Sequence, residues 1–337
     1  MRKEGYCMKI ENAILHMLDF ENSTTVLSQG ELAVKESVIQ QYLDKLVSKF
    51  LEGDLKTGEL PQDNNLVQNI RNTEQSFIEM SQTLASDYFE GLKTAEEITN
   101  GDLLIIAGLN DQEAPFMGMF KLNYKPAYTH FVDYVEDQMV NNIIMNKAIL
   151  PSMSQRVDEG IVIDLDTLNY QSIEKKYKID GRKVNYLSDR LFEVQSLPSA
   201  VDNIKLVKKA VKSVADKYNV ESYESLANVQ QAIYDSLEDE GFISNDKIAE
   251  AVFENNHQAK QDYKEYIAKT NFHEEVPTNV TKLEKKYSKQ KLKLANGIEL
   301  FVPIDIYQDK EVIEFINNPD GTISVVIKNV EAIMNKF

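Results

Sequence analysis

Apolar positions in the first half of the chain switch between two periods. IENAILHMLDF (10–20) and STTVLS (23–28) read as strands joined by a polar turn at Glu21 and Asn22. From Val34 the period lengthens: Val34, Val38, Tyr42, Val47 and Phe50 recur at helical spacing, with Leu43, Leu46 and Leu51 beside them. QDNNLVQNIRN has no clear period and reads as loop or irregular helix. A second helix is predicted over 73–92, with Phe77, Met80, Leu84 and Tyr88 on one face. Strand signals return in DLLIIAGL (102–109), APFMGMFKLNY (114–124), HFVDYV, IIMNKAIL and GIVIDL (160–165). No strict β-α-β alternation appears. An antiparallel or mixed sheet flanked by helices is expected, and a doubly wound fold is not.

From Gly181 the pattern turns helical, with helices predicted over 182–194, 200–218, 222–240, 244–256 and 258–270. Gly241 suits a helix stop, and Pro277 ends the section. The last fifty or so residues revert to period two around the turn signals Asn296-Gly297 and Pro319-Asp320-Gly321, which predicts one small antiparallel sheet of about four strands. The fold class is α+β, in three regions: an α+β domain over 1–180, a helical region over 181–276, and a small β-sheet subdomain over 277–337 that could share one domain with the helices.

Composition supports this: 337 residues, 42% hydrophobic and 27% charged, suit a globular chain with real cores. Cys7 is the only cysteine, so no intrachain disulfide forms, and a reducing cytoplasmic setting is expected. The N-terminus lacks the apolar core of a signal peptide, and no segment approaches the roughly 18 apolar residues of a membrane span.

Charge changes the picture more. The net charge is −17, which repels DNA at long range. At about 0.15 M salt, however, charges beyond about 8 Å are screened, so a concentrated basic face can still act locally. Two windows supply one: residues 175–217 hold 11 basic and 5 acidic side chains, and residues 282–293 hold six lysines and one glutamate. In YSKQKLKLAN, Lys289, Lys291 and Lys293 alternate with Gln290, Leu292 and Leu294. On a strand this sets three ammonium groups on one face, about 6.6–6.8 Å apart. Lys282, Lys285 and Lys286 would extend the row. Over 200–218, helical spacing puts Lys205, Lys208, Lys209 and Lys212 on one stripe and Val207, Val211, Val214 and Tyr218 on another. Both stripes also suit plain solvated faces, since lysines protect edge strands and favour helices. Only five arginines are present. Arginine is the bidentate reader of phosphate and guanine, so contact would be backbone-directed and not base-specific.

Other chemistry is sparse. No phosphate-cradling glycine loop occurs. His16, His130, His257 and His273 are scattered, so no zinc site, and no cofactor of any kind, is expected. His16, in an apolar strand, reads as a packed, hydrogen-bonded histidine. One enzymatic layout remains: Asp164 and Asp166 two apart on a predicted strand, then Glu174-Lys175-Lys176, as in metal-dependent nucleases. Acid-x-Lys triplets occur four times here, about what 54 acids and the lysine content give by chance.

The opening IENAILHMLDFENSTTVLSQGEL, the middle GIVIDLDTLNYQSIEKKYKIDGRKVNYLSDRLFEV and the end KLKLANGIELFVPIDIYQDKEVIEFINNPDGTISVVIKNV resemble the bacterial nucleoid-associated protein family of the NdpA/YejK type. The likeness runs from about residue 9 to residue 330. It implies a cytoplasmic protein found with the compacted chromosome, and a non-catalytic one, because the family brings no catalytic residues to carry over. DNA would be met directly or through a DNA-bound partner protein, and a homodimer is compatible with both. Three readings follow: a nucleoid protein touching DNA through its lysines, an acidic protein-interaction module, and a metal-dependent nuclease. Within the GRK stretch, Arg182 and Lys183 could contact phosphate at a helix start, or follow a turn glycine as exposed charges.

Overall fold

The computed structural model describes residues 8–219, 222–274, 276 and 279–334, so Cys7 and Pro277 lie outside the described residues. The chain divides into two compact units, Met1–Leu197 and Pro198–Phe337.

The first unit runs β1 (Lys9–Asp19), β2 (Thr24–Val26), α1 (Ser37–Leu51), β3 (Lys56–Glu59), α2 (Asn65–Ile70), α3 (Phe77–Leu92), β4 (Gly101–Leu109), β5 (Pro115–Asn123), β6 (Ala127–Val135), β7 (Gln138–Asn146), β8 (Glu159–Asp164), β9 (Asn169–Ile173), β10 (Lys176–Ile179) and β11 (Arg182–Asn185). Seven strands form one antiparallel sheet in the order β2-β1-β4-β5-β8-β9-β3. Its centre is covered on both faces. Leu103 and Ile105 join Met80, Leu84 and Tyr88 of α3 in one core. Leu104 and Ile106 join Leu43, Val47 and Phe50 of α1 in the other. DLLIIAGL is an unbroken apolar run because alternate residues serve opposite cores. α3 starts at a capping box in which Ser76 and Glu79 satisfy each other's backbone N–H.

One predicted helix is absent. Over 182–194 the chain forms a hairpin and then a single π-helical turn at Leu187–Leu191. β10 and β11 pair through Asp180-Gly181, at φ 50° and 75°, the left-handed pair that a tight two-residue hairpin needs. Tyr177, Ile179 and Val184 bury one face of this ribbon in the core. Burial of that alternating face outweighs the short helical spacing that follows it.

The second unit runs α4 (Ala200–Tyr218), α5 (Ser222–Glu240), α6 (Asn245–Phe253), α7 (His257–Ala268), α8 (Val280–Tyr287), β12 (Lys289–Lys293), β13 (Glu299–Pro303), α9 (Ile304–Tyr307), β14 (Ile313–Asn317) and β15 (Ile323–Ile327). α5 packs against α4, α6 and α8. Val207, Val211, Ile233, Leu237, Ile248 and Tyr263 are buried among these helices. Gly241 follows α5 at φ 76°, the left-handed stop its position suggests.

The strand-rich end differs from expectation in two ways. Lys282, Lys285 and Lys286 sit on α8, not on an extension of the lysine strand. The strands form two separate ribbons, β12–β13 and β14–β15, not one four-stranded sheet. Pro303 closes β13 and the chain turns at once into α9, with Ile304 N–H donating to the Ser288 carbonyl at 2.9 Å. That turn ends the ladder, and each ribbon pairs only with itself. Among the described residues no helix is long and apolar enough to cross a membrane.

Candidate nucleic-acid interface

α8 begins at Asn279, whose side chain accepts from Lys282 N–H at 3.1 Å. Leu283 and Tyr287, four apart, are buried; Lys282, Lys285 and Lys286 are exposed. The helix passes through Ser288 directly into β12, where the period falls to two. Lys289, Lys291 and Lys293 are exposed, Gln290 is buried and Leu292 half-buried. One helix face and one strand face are therefore joined end to end, and both carry lysine outward.

α5 fastens this junction. Gln230 Nε2 donates to the Tyr287 carbonyl at 3.0 Å and the Lys289 carbonyl at 2.8 Å. Gln290 Nε2, beneath the strand, donates to the Ala227 carbonyl at 2.9 Å. A glutamine at this inward position is a hydrogen-bonded peg, because a buried amide without a partner would be costly.

The register β12–β13 pairs Lys289 with Pro303, Lys291 with Phe301 and Lys293 with Glu299, so these six share the outward face. Phe301 is 59% exposed, and the Lys291 ammonium lies 5.8 Å from its ring centroid. An exposed ring between ammonium groups offers a stacking surface for a base beside cations for its phosphates. Phe301 was not singled out by the sequence reading.

The helix stripe meets the tail. On α4, Lys205, Lys208, Lys209 and Lys212 are exposed while Val207, Val211 and Val214 are buried. Lys208 Nζ lies 5.7 Å from the Tyr287 ring centroid, and Lys286 Nζ lies 5.4 Å from the same ring. Loss of water around the Lys208 ammonium, then repulsion from Lys286, holds its pKa below the ordinary lysine value. Lys205 is paired with Asp202 at 2.9 Å and Lys293 with Glu299 at 3.9 Å. Among the described residues, Lys209, Lys212, Lys285 and Lys289 have no carboxylate within 4.0 Å of their ammonium groups.

Arg182 and Lys183 are residues of the first unit, and the lysine face is built from the second. They lie on β11 of the first unit, exposed, opposite Ile179 and Lys178. No helix begins there, so a phosphate contact at a helix start is lost.

The nuclease layout is likewise dispersed. β8 ends at Asp164, and Asp166 lies in the following turn. Asp164 Oδ1 accepts from Asp166 N–H, Thr167 N–H and Thr167 Oγ1 at 3.1, 2.8 and 3.0 Å. Glu174 is buried against Lys56 at 2.8 Å and accepts from Ser188 N–H and Oγ at 3.1 and 2.9 Å. Both carboxylates hold the chain together. Among the described residues no three His, Cys, Asp or Glu side chains are grouped to hold a metal ion. His16 is packed and hydrogen-bonded as expected: its Nδ1 accepts from Ser28 N–H at 3.1 Å and its Nε2 faces Ser81 Oγ at 3.0 Å.

Comparison with curated proteins gives no match. A family model described as nucleoid-associated protein YejK matches residues 14–335. With strands, helices and terminal ribbons of both units inside that match, the chain belongs to this family of nucleoid-associated proteins.

Proposed function

We propose that this nucleoid-associated protein binds DNA directly and without sequence preference. The contact is a lysine face of the second unit built from Lys282, Lys285, Lys286, Lys289, Lys291 and Lys293, with Lys205, Lys208, Lys209 and Lys212 beside it. The observation that carries this reading is the meeting of Lys208 and Lys286 over the Tyr287 ring. Two basic stretches far apart in sequence thereby become one patch. The rest of the chain is acidic, with −17 overall, so an anion is accepted in one orientation and repelled in others. Lysines deliver charge without the bidentate geometry that reads bases. The protein acts in the cytoplasm at the nucleoid as a non-catalytic binder, and a homodimer would offer two such faces to one duplex.

The test is a binding series across salt. If five or six of these lysines meet duplex phosphates, log K against log salt falls with a slope of roughly −4.5 to −5.5. Lys289→Glu/Lys291→Glu/Lys293→Glu abolishes binding while leaving the fold intact. A slope near zero, or unchanged binding by that variant, overturns the reading. The acidic surface favours a second one, docking on a basic protein already on DNA. It predicts no shift of free DNA at low salt, and co-precipitation only when the DNA-bound partner is present.

A further inference from the structure

β6 and β7 form a ribbon that no other strand among the described residues pairs with, and nearly all of its residues are exposed. Its two-residue turn, Glu136-Asp137 at φ 50° and 62°, gives nine uninterrupted cross-strand pairs. The register assigns the two faces. One has five rungs, each joining an apolar residue (Ala127, Ile144, Phe131, Val140 or Val135) to a polar one, so half of this face is polar. The other carries four rungs: Tyr128–Met145, His130–Ile143, Val132–Asn141 and Tyr134–Met139. Six of those eight side chains are apolar or aromatic. Tyr128, Tyr134, Met139 and Ile143 are 73%, 70%, 65% and 79% exposed.

We infer that this face is covered by the same face of a second copy of the chain, the two arms stacked antiparallel about a twofold axis. Four observations select that occupant. The face reads the same from either end: a Tyr–Met rung at the base, a Tyr–Met rung at the tip, and two rungs between that each join one branched apolar residue to one polar residue. Antiparallel stacking lays Tyr128 over Tyr134 of the second copy and Met145 over Met139. It also lays each inner polar group over an apolar one, the self-complementarity that an isologous contact requires. Second, the area suffices. At about 100–150 Å² each, six such side chains offer roughly 600–900 Å² per copy, against about 800 Å² per partner in a standard interface. Third, the only charges on the arm are Asp133, Glu136 and Asp137, at or beside the tip. Antiparallel stacking sends the two acidic tips to opposite ends, parallel stacking would force them together, and nucleic acid is repelled. Fourth, a two-stranded ribbon is marginal alone in water. Its cover must be present whenever the chain is, and a second copy is.

The test is the mass of the full chain in solution, by light scattering and sedimentation equilibrium. The wild-type chain is expected to be a dimer at about 10 µM. Tyr128→Glu/Ile143→Glu should weaken the dimer by at least about tenfold. Thr129→Glu/Asn142→Glu, which adds the same charge to the other face, should leave it intact. A monomeric wild type, or equal effects of the two variants, overturns the inference and leaves the arm to a partner of another kind. Cross-linking guards against misfolded variants. On a Cys7→Ser background, Tyr128→Cys/Tyr134→Cys should form covalent dimers on mild oxidation, and Thr129→Cys/Val135→Cys on the other face should not. Absent or equal cross-linking likewise overturns it.

Discussion

The ammonium groups of Lys208 on α4 and Lys286 on α8 stand over one ring, that of Tyr287, at 5.7 and 5.4 Å from its centroid. Among the described residues neither ammonium group has a carboxylate within 4.0 Å, and loss of water, then repulsion from Lys286, lowers the Lys208 pKa. A phosphate arriving here is attracted by both. Lys208→Ala and Lys286→Ala should each weaken DNA binding across all sequences and reduce the salt slope by about 0.9. The melting temperature should hold or rise slightly, since a like-charge contact is removed. Anisotropy titrations at several salt concentrations decide this; an unchanged slope in both variants removes the pair from the interface.

Gln290 pegs the lysine strand to α5 through the Ala227 carbonyl. Gln290→Ala removes that hydrogen bond, at a cost of about 0.5–1.5 kcal/mol. Urea unfolding of the full chain should register the loss. DNA affinity should fall too, although no charge has changed, because the strand that spaces the three lysines loses its anchor.

Glu174 separates the structural account from the nuclease account. It is buried against Lys56 and Ser188, so Glu174→Ala leaves the Lys56 ammonium without its partner and should cost about 3 kcal/mol. Asp166→Ala, at an exposed turn, should cost little. Plasmid incubated with Mg²⁺ should stay intact with the wild type and both variants. Nicking by the wild type that vanishes in a well-folded Asp166→Ala would revive the enzymatic reading.

His16 gives the first unit an acid-sensitive point. Burial lowers its pKa from 6.5 to about 4. The unfolded chain therefore binds this proton more readily than the folded one. The stability contribution is fully present above pH 6.5 and is lost as pH falls from there toward 4, up to about 3 kcal/mol. His16→Gln should lack this component in urea unfolding measured at several pH values.

Glu159 works in the opposite direction. It faces Lys121 across β5 and β8, both buried. Burial raises Glu159 to about 7, even though the Tyr177 hydroxyl donates to it. Here the folded chain binds the proton more readily, so the contribution is present below pH 4.5 and is lost as pH rises through 7. Glu159→Gln should flatten that loss. A variant whose pH dependence between 4.5 and 7 matches the wild type would show that the carboxyl is ionised in the fold.

Much of this was open to reading without coordinates. The outward direction of Lys289, Lys291 and Lys293 follows from alternation alone, and the burial pattern of β12 has it. The α4 stripe follows from helical spacing in the same way. Phe301 was within reach: Asn296-Gly297 marks the turn, and the observed Leu294–Ile298 closure sets Lys291 opposite Phe301. The strand-rich start was legible because its apolar runs are long. The helix predicted over 182–194 failed because KYKI and RKVN are only four residues each. Two alternations that short say nothing until their buried face finds a core.

The sequence by itself determined which faces carry charge, because side-chain direction repeats with the local backbone period and needs no partner. It also determined the α+β class and the absence of a phosphate-binding loop. Only the tertiary structure decided which faces meet. The approach of Lys208 to Lys286 depends on α4 and α8 packing against the same helix, and the break between the two terminal ribbons depends on where Pro303 turns the chain. The exposure of the β6–β7 arm depends on no other strand among the described residues pairing with it. Such outcomes are set by contacts between residues distant along the chain, and no local period encodes them.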